Sequence, residues 1–306
     1  MRHLIAKSTT RRIINIAYNH IPHYAHQKLY EHFAKIFRRD HVEIQSGFWC
    51  VKFCESLIRV PLNQAGVWLA WDLGLAILGN DSEVKRTYRW FLSLDLGPQR
   101  FLDVGSNFGT HSVIFLVHHI PTISVEPNPS CKPFFDVLCA ANAVTHELHQ
   151  VALGTDLGSA ELFFPSMEEW LGTIEPGQIA SLQQTSSLVR ISVLCISLDV
   201  LFQGRDEAID LIKLDTEGSE LGILKGASEV VRKHRPIIIF ESLHGDARKL
   251  LFDHLRREEY SIVRLPLSNI APYSLTSAEF LGQSSTNFAA IHRKRLALWP
   301  SPFRPV

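Results

Sequence analysis

A chain of 306 residues, 46% hydrophobic and 20% charged, can bury a full core and has the length of one large globular domain plus an extension. Lysine plus arginine equal aspartate plus glutamate at 31 each. No net field therefore points to nucleic acid or to an acidic membrane, and affinity has to come from a local site. The start, MRHLIAKSTTRR, lacks the apolar core and small-residue cleavage site of a leader, and no later run reaches the roughly 18 apolar residues of a span. A cytoplasmic location is expected.

In chain order, residues 1–95 read as an N-terminal extension. A basic and aromatic helical stretch near Arg11 to Arg39 is broken by Pro22, and strand-like VEIQ and FWCVKFCESLIRV follow. The face carrying Tyr24, Leu29, Phe33 and Phe37 mixes aromatic and basic residues. An ordinary docking helix is preferred for it over a helix lying on a membrane surface. Residues 96–306 show short apolar runs alternating with helical periods, the pattern of βαβ units and a mostly parallel sheet. FLDV (101–104) is a strand and Gly109 to His118 a helix. TISVEP is the next strand, and Asn128 with Pro129 reads as the cap and first position of a helix to about Ala143. HELHQVAL (146–153) and DLIKLD (210–215) are further strands. A helix follows with Leu221, Leu224, Ala227 and Val231 on one side. PIIIFE (236–241), a helix near Ala247 to Arg257, and the strands YSIVRLP and NFAAIHR complete the alternation. Only residues 154–195 interrupt it, where AELFF and LVRISVLCI look like added strands around a polar loop, a candidate lid or substrate wall.

The five cysteines are odd in number and form no CxxC pair, as expected of buried thiols in a reducing compartment. His118-His119 and the pair His146 and His149 have no ligand cluster near them, so no metal site is assigned.

The chemistry is expected at FLDVGSNFGT (101–110). A strand ending in Asp103-Val104-Gly105 that turns through Ser106, Asn107 and Phe108 to Gly109 brings backbone close to a ligand. The dinucleotide fingerprint G-x-G-x-x-G is not met, because the glycines stand four apart with a carboxylate two residues before the first. That carboxylate would repel a pyrophosphate and welcome an ammonium. Glu126 ends the next strand 23 residues after Asp103, where an acid accepts from ribose hydroxyls. A guest with a ribose, a cationic amino-acid end and no phosphate is S-adenosylmethionine. Its expected contacts are Asp103, Gly105, Ser106, Asn107, Gly109, Glu126, Asn128 and Asp215. In DTEGSE (215–220), Asp215 and Glu217 should border the transferable methyl, whereas Glu220 is read as complementing a helix dipole. Asp215, Glu217, Glu241 and His244 are the candidate bases, with Asp215 preferred over Glu217.

FLDVGSNFGTHS, VEPNP, HQVALG, ISLDVLF and above all DLIKLDTEGSELGILKGA followed by PIIIFE resemble the successive blocks of the FkbM family of class I methyltransferases, over about residues 102–260. The resemblance implies a Rossmann-like, mostly parallel seven-stranded sheet flanked by helices, and O-methylation of a small hydroxyl-bearing acceptor: a sugar, natural product or glycolipid. Ser106 departs from the alanine usual there, leaving the backbone path open and adding a hydroxyl. A nicotinamide-dependent oxidoreductase and a cofactor-binding module without activity are the alternatives. No nucleic-acid partner is expected, and the oligomeric state is not legible.

Overall fold

In the computed structural model, residues 8–37, 47–61, 66–166 and 171–304 are described. Helices α1 (Ser8–His20) and α2 (His23–Phe37) meet at Pro22, whose ring cannot continue the first helix but suits the opening of the second. The expected strand at 42–45 and the side chains of Phe33 and Phe37 lie outside the described residues. FWCVKFCESLIRV forms a hairpin, β1 (Phe48–Phe53) and β2 (Ser56–Pro61). Two helices not anticipated in the sequence follow, α3 (Gly66–Gly79) and α4 (Ser82–Leu92). Helix α3 lies so close to β1 that a Cβ on Gly74 would stand 1.9 Å from the Trp49 ring. No helix among the described residues is long and apolar enough to cross a membrane.

The alternating region begins with β3 (Phe101–Val104), α5 (Ser112–Leu116), β4 (Thr122–Val125) and α6 (Lys132–Ala141). Asn128 does not cap α6. Its side chain accepts from the Ser130 amide at 3.0 Å, so it builds a turn one step earlier, and Pro133 rather than Pro129 sits in the first helical turn. HELHQVAL is not one strand: β5 (Glu147–His149) joins the main sheet and β6 (Ala152–Leu153) leaves it for a second one. That sheet, in the order β6-β8-β7, is built by the insertion strands β7 (Gly158–Pro165) and β8 (Leu188–Ile196), with α7 (Pro176–Gln183) between them. After α8 (Leu198–Leu201) comes β9 (Leu211–Leu214). The single helix expected next is two, α9 (Glu220–Lys225) and α10 (Ser228–His234), parted at Gly226-Ala227. Then come β10 (Ile237–Glu241), α11 (Asp246–Arg257), β11 (Tyr260–Arg264), α12 (Ser277–Leu281), β12 (Asn287–His292) and α13 (Arg293–Leu296).

The main sheet has seven strands in the order β11-β12-β10-β9-β3-β4-β5. All neighbours are parallel except β12, which runs antiparallel to both β10 and β11. Side chains alternate between its faces. Leu102, Val104, Ile212, Leu214, Ile238 and Phe240 pack under the helices that follow β9 and β10. Phe101, Leu211, Ile237 and Ile239 share the opposite core with Trp49, Val51, Tyr88 and Phe91. The N-terminal segment is thus built into the main core, covering this face of the sheet together with Val113, Ile114 and Phe115 of α5 and Leu138 of α6.

That second face carries an unusual polar row. Asp103 is the register partner of Ser124 on one side and of Lys213 on the other, and all three are buried. Buried polar groups need partners, and α4 and α5 lie over the row. Ser112 Oγ donates to Asp103 Oδ2 at 2.6 Å and meets Ser124 Oγ at 2.9 Å.

Candidate functional site

In a sheet wound in both directions, ligands sit outside the carboxyl ends of the strands where the winding reverses. Here that point lies between β3 and β9, and a cavity of about 360 Å³ opens on it. Of the residues expected at the site, Gly105, Ser106, Asn107, Glu126, Asp215, Glu217 and Glu241 line the cavity, whereas Asp103, Gly109, Asn128 and His244 do not. Asp103 is fully buried behind the turn and serves Ser112. Burial pushes its carboxyl up, while Lys213 and Ser112 pull it back. Gly109 packs on Phe135, where a Cβ would come within 1.9 Å of the ring. Asn128 works through its backbone, described below. His244 faces Arg248, whose Nη1 lies 3.2 Å from His244 Nδ1. That guanidinium in turn donates to the carbonyls of Ser242, Gln283 and Ser285, so His244 belongs to a clamp behind β10.

The glycine turn is fixed from both flanks. The amides of Gly105 and Ser106 both donate to the Val125 carbonyl, and Gly105 has φ of +75°. A Cβ there would stand 1.8 Å from the Asp215 carbonyl. Glycine at 105 is therefore required by close approach of the two functional loops as well as by the left-handed backbone. A side chain there would push these loops apart rather than simply fill ligand space.

Glu126 is pinned in place. Its Oε2 accepts from the Asn107 amide at 2.9 Å and its Oε1 from the Asn128 amide at 2.8 Å. Burial raises its pKa to about 7 against the pull of those two amides. Each carboxylate oxygen keeps a further lone pair for a ligand hydroxyl. Glu126 thus ties the turn after β3 to the turn after β4. Glu126→Ala should lower stability by about 1.5–3 kcal/mol, because two amides lose a charged acceptor. Cofactor affinity should fall roughly ten- to a hundredfold. Thermal melting and calorimetry read the two separately, and unchanged affinity would remove Glu126 from the ribose.

The DTEGSE block is a second built turn. Glu217 has φ of 52° and Gly218 of 107°. Glu220 reaches back so that its Oε1 accepts from the amide and the hydroxyl of Thr216, both at 3.0 Å. Its role here is to close the loop, beyond complementing a helix dipole. Thr173 of the insertion donates its hydroxyl to the Glu217 carbonyl at 3.1 Å, and Leu162 and residues 171–174 line the cavity. The insertion is a wall of the site.

Asp215, Glu217 and Glu241 converge, with one oxygen from each within 4.8 Å of the others. They could hold a cation. Asp215 Oδ2 accepts from Lys213 Nζ at 2.6 Å. Burial would favour loss of the Lys213 proton, but Asp215, Asp103 and Asp81 outweigh it and hold its pKa above the ordinary lysine value. Glu217 rises to about 7 and Glu241 to about 8, through burial first and then the crowding of like charges.

Several lining residues were not singled out in the sequence: Lys213, His111, and Tyr30, Leu73, Ala76, Asn80 and Asp81 from the N-terminal segment. A lysine inside the otherwise apolar strand DLIKLD was a readable signal for the first. His111 lies 2.9 Å by Nε2 from Lys85 Nζ and 3.1 Å by Nδ1 from Tyr88 Oη. Burial and the neighbouring lysines hold it well below the ordinary histidine range, while burial lowers Lys85 to about 8.

The lining fits S-adenosylmethionine. Among the described residues none partners the buried Ser106 Oγ, Glu126 keeps lone pairs that can accept from a hydroxyl, and Pro127, Val151, Ala152 and Leu153 add apolar surface to the lining. Glu126 on one flank of the turn and Asp215 on the other suit a cationic cofactor and oppose a pyrophosphate.

A doubly wound α/β fold with a carboxylate-lined cavity at its switch point is what these observations define. Residues 103–261 match the methyltransferase FkbM domain. The chain belongs to the FkbM methyltransferase family and carries its class I, Rossmann-like fold. Among solved structures it is similar to the methyltransferase FkbM of Methylobacillus flagellatus KT, at 16% identity over 74% of this chain and 54% of that one, with a TM-score of 0.41. The chain thus spans about half the length of that relative. It is also similar to an O-methyltransferase from Bacillus cereus in complex with SAH, at 13% identity over 70% of this chain and 83% of that one, TM-score 0.36. No curated protein matches.

Proposed function

We propose that this chain transfers a methyl group from S-adenosylmethionine to a hydroxyl of a small metabolite, glycan or lipid-linked sugar. One observation carries the reading: the cavity joins a ribose-ready Glu126 to the carboxylates Asp215, Glu217 and Glu241 across a single glycine turn. When bound, the cofactor supplies a methyl carbon made electrophilic by its sulfonium. The chain has to align an acceptor oxygen with that carbon, exclude water and take up the hydroxyl proton.

Glu241 is our choice for the proton acceptor, with Glu217 beside it. Asp215, preferred from the sequence, has one oxygen engaged by Lys213 and suits orientation instead. A carboxylate near neutral pKa is the better base, because it combines a useful ionised fraction with driving force for proton transfer. The insertion and the N-terminal helices cover the crevice. A soluble, cytoplasmic setting accords with five cysteines that form no disulfide. The test is incubation of the full chain with methyl-labelled S-adenosylmethionine and extracts from cells lacking it, followed by mass spectrometry. The expected product is heavier by one methyl on oxygen. Methylation found only on nitrogen or carbon would overturn the reading.

A further inference from the structure

The cavity divides along the strand order. The ends of β4 and β5 offer Glu126, Pro127 and Val151, and those of β9 and β10 offer Asp215, Glu217 and Glu241. Beside the insertion, whose Thr173 bonds the Glu217 carbonyl, the lining includes residues that precede the matched family domain: Tyr30, Leu73, Ala76, Asn80 and Asp81.

Asp81 is held there from several sides. Asn287 Nδ2 donates to its Oδ1 at 3.2 Å, and Asn287 is the register partner of Glu241. Asp81 therefore stands over the strand end that presents Glu241. Its Oδ2 accepts from Asn80 Nδ2 at 3.0 Å and lies 3.7 Å from His111 Nε2. An aspartate just before a helix ordinarily caps it. Asp81 precedes α4 yet makes no capping bond, and its backbone is left-handed at φ 45°. The carboxylate is spent on the cavity rim instead of the helix. Leu73 and Ala76 add apolar surface on the same wall.

We propose that Asn80 and Asp81 read the methyl acceptor and restrict it to neutral or amine-bearing polyols, excluding phosphorylated and carboxylated ones. This rests on the methyltransferase reading above. The hydroxyls or ammonium of such an acceptor donate to Asp81, its C–H surface lies on Leu73 and Ala76, and an added anion meets Asp81, with Glu217 and Glu241 adding charge as they ionise and the Lys213 ammonium already held by Asp215. Acceptor choice is then set by a segment outside the family domain.

The experiment uses the full chain saturated with S-adenosylhomocysteine and hexopyranosides that differ in one group: hydroxyl, amine, phosphate or carboxylate. Binding is read by saturation-transfer NMR and calorimetry. Neutral and amino glycosides should bind and their anionic analogues should not. Asp81→Gly, which suits the left-handed backbone, and Asp81→Asn, which keeps the shape, should each weaken glycoside binding roughly tenfold or more. S-adenosylmethionine affinity, measured separately on the cofactor-free variants, should not change. Equal binding of the anionic analogues, no glycoside binding by a cofactor-competent chain, or unaltered glycoside affinity in both variants would each overturn the proposal. Loss of cofactor affinity in both variants would also overturn it, by placing Asp81 at the donor. Failure of the wild-type chain to bind S-adenosylmethionine would instead strike the methyltransferase reading itself.

Discussion

Glu241→Gln is expected to slow methyl transfer by about 10²- to 10⁴-fold, the usual worth of a positioned general base, while the dissociation constant for S-adenosylmethionine stays as it was. The amide keeps the shape and one acceptor oxygen but has no basic site. Glu217→Gln should cost less, since Glu217 lies in the turn rather than at the end of β10. Asp215→Asn should affect both rate and binding, because the amide pairs poorly with Lys213 and Asp215 also borders the turn at Gly105. Single-turnover rates and cofactor titrations separate these outcomes. If Glu241→Gln and Glu217→Gln both keep full turnover, positioning alone drives the transfer and the base assignment is wrong.

The pH dependence gives a second readout. A base has to be ionised, so kcat/KM should rise with pH through the range about 7 to about 8 where Glu217 and Glu241 titrate in the free protein. The two interact and will titrate as a pair. Stability should run the other way. A carboxyl whose pKa is raised by folding binds protons more tightly in the folded state. Its contribution is therefore complete below the ordinary carboxylate range and is lost as pH rises through the folded value. Because buried histidines such as His111 and His26, lowered by burial, act in the opposite direction, the readout is the melting-temperature difference between the ligand-free protein and a Glu217→Gln, Glu241→Gln variant, which should fall between about pH 5 and about pH 8. A flat profile would mean that these acids are less crowded than the geometry indicates.

The difference between what the sequence disclosed and what it withheld lies in range. FLDVGSNFG, VEP and DTEGSE are each local: strand, turn and helix start fall within ten residues, and their acids sit where strand ends must sit. Apolar runs bounded by glycine and proline likewise made the parallel sheet legible. Helix α3 was not legible, because GVWLAWDLGLAILG is apolar nearly all round and shows no face. Nor was its consequence. The bond from Asn287 to Asp81 spans 206 residues, and no spacing in the chain announces it. HELHQVAL misled for a related reason, since its uninterrupted strand pattern conceals the point at Gln150-Val151 where the chain leaves one sheet for another. Asp103 misled because a carboxylate beside a glycine turn can face the ligand or the core, and alternation along β3 aims it at the core. Ser112 of α5, Ser124 of β4 and Lys213 of β9, which surround it there, arrive from other elements.

Lys213→Met should therefore lower stability markedly. Lys213 is 3% exposed, its ammonium donates to Asp215, and its register partner Asp103 is wholly buried. Methionine fills a similar volume but leaves those carboxylates without their cation. Breaking a fully buried pair costs about 3–5 kcal/mol; with the Asp215 carboxylate 34% exposed and Asp103 buried, a loss of about 2–3 kcal/mol is expected. Chemical denaturation should show that loss with an unchanged slope. Protonating the orphaned acids relieves it, so the deficit relative to wild type should be largest at alkaline pH and shrink as pH falls. Asp103→Asn in the Lys213→Met background removes the buried charge itself, and a double-mutant cycle should return a coupling well outside the additive range of about 0.5 kcal/mol. Lys213→Arg should restore the charge but not the full stability, because a rigid planar fork does not reproduce the compact ammonium's bond to Asp215. A loss below about 1 kcal/mol for Lys213→Met would mean that Asp103 is already protonated and that the polar row holds together through Ser112 and Ser124 alone.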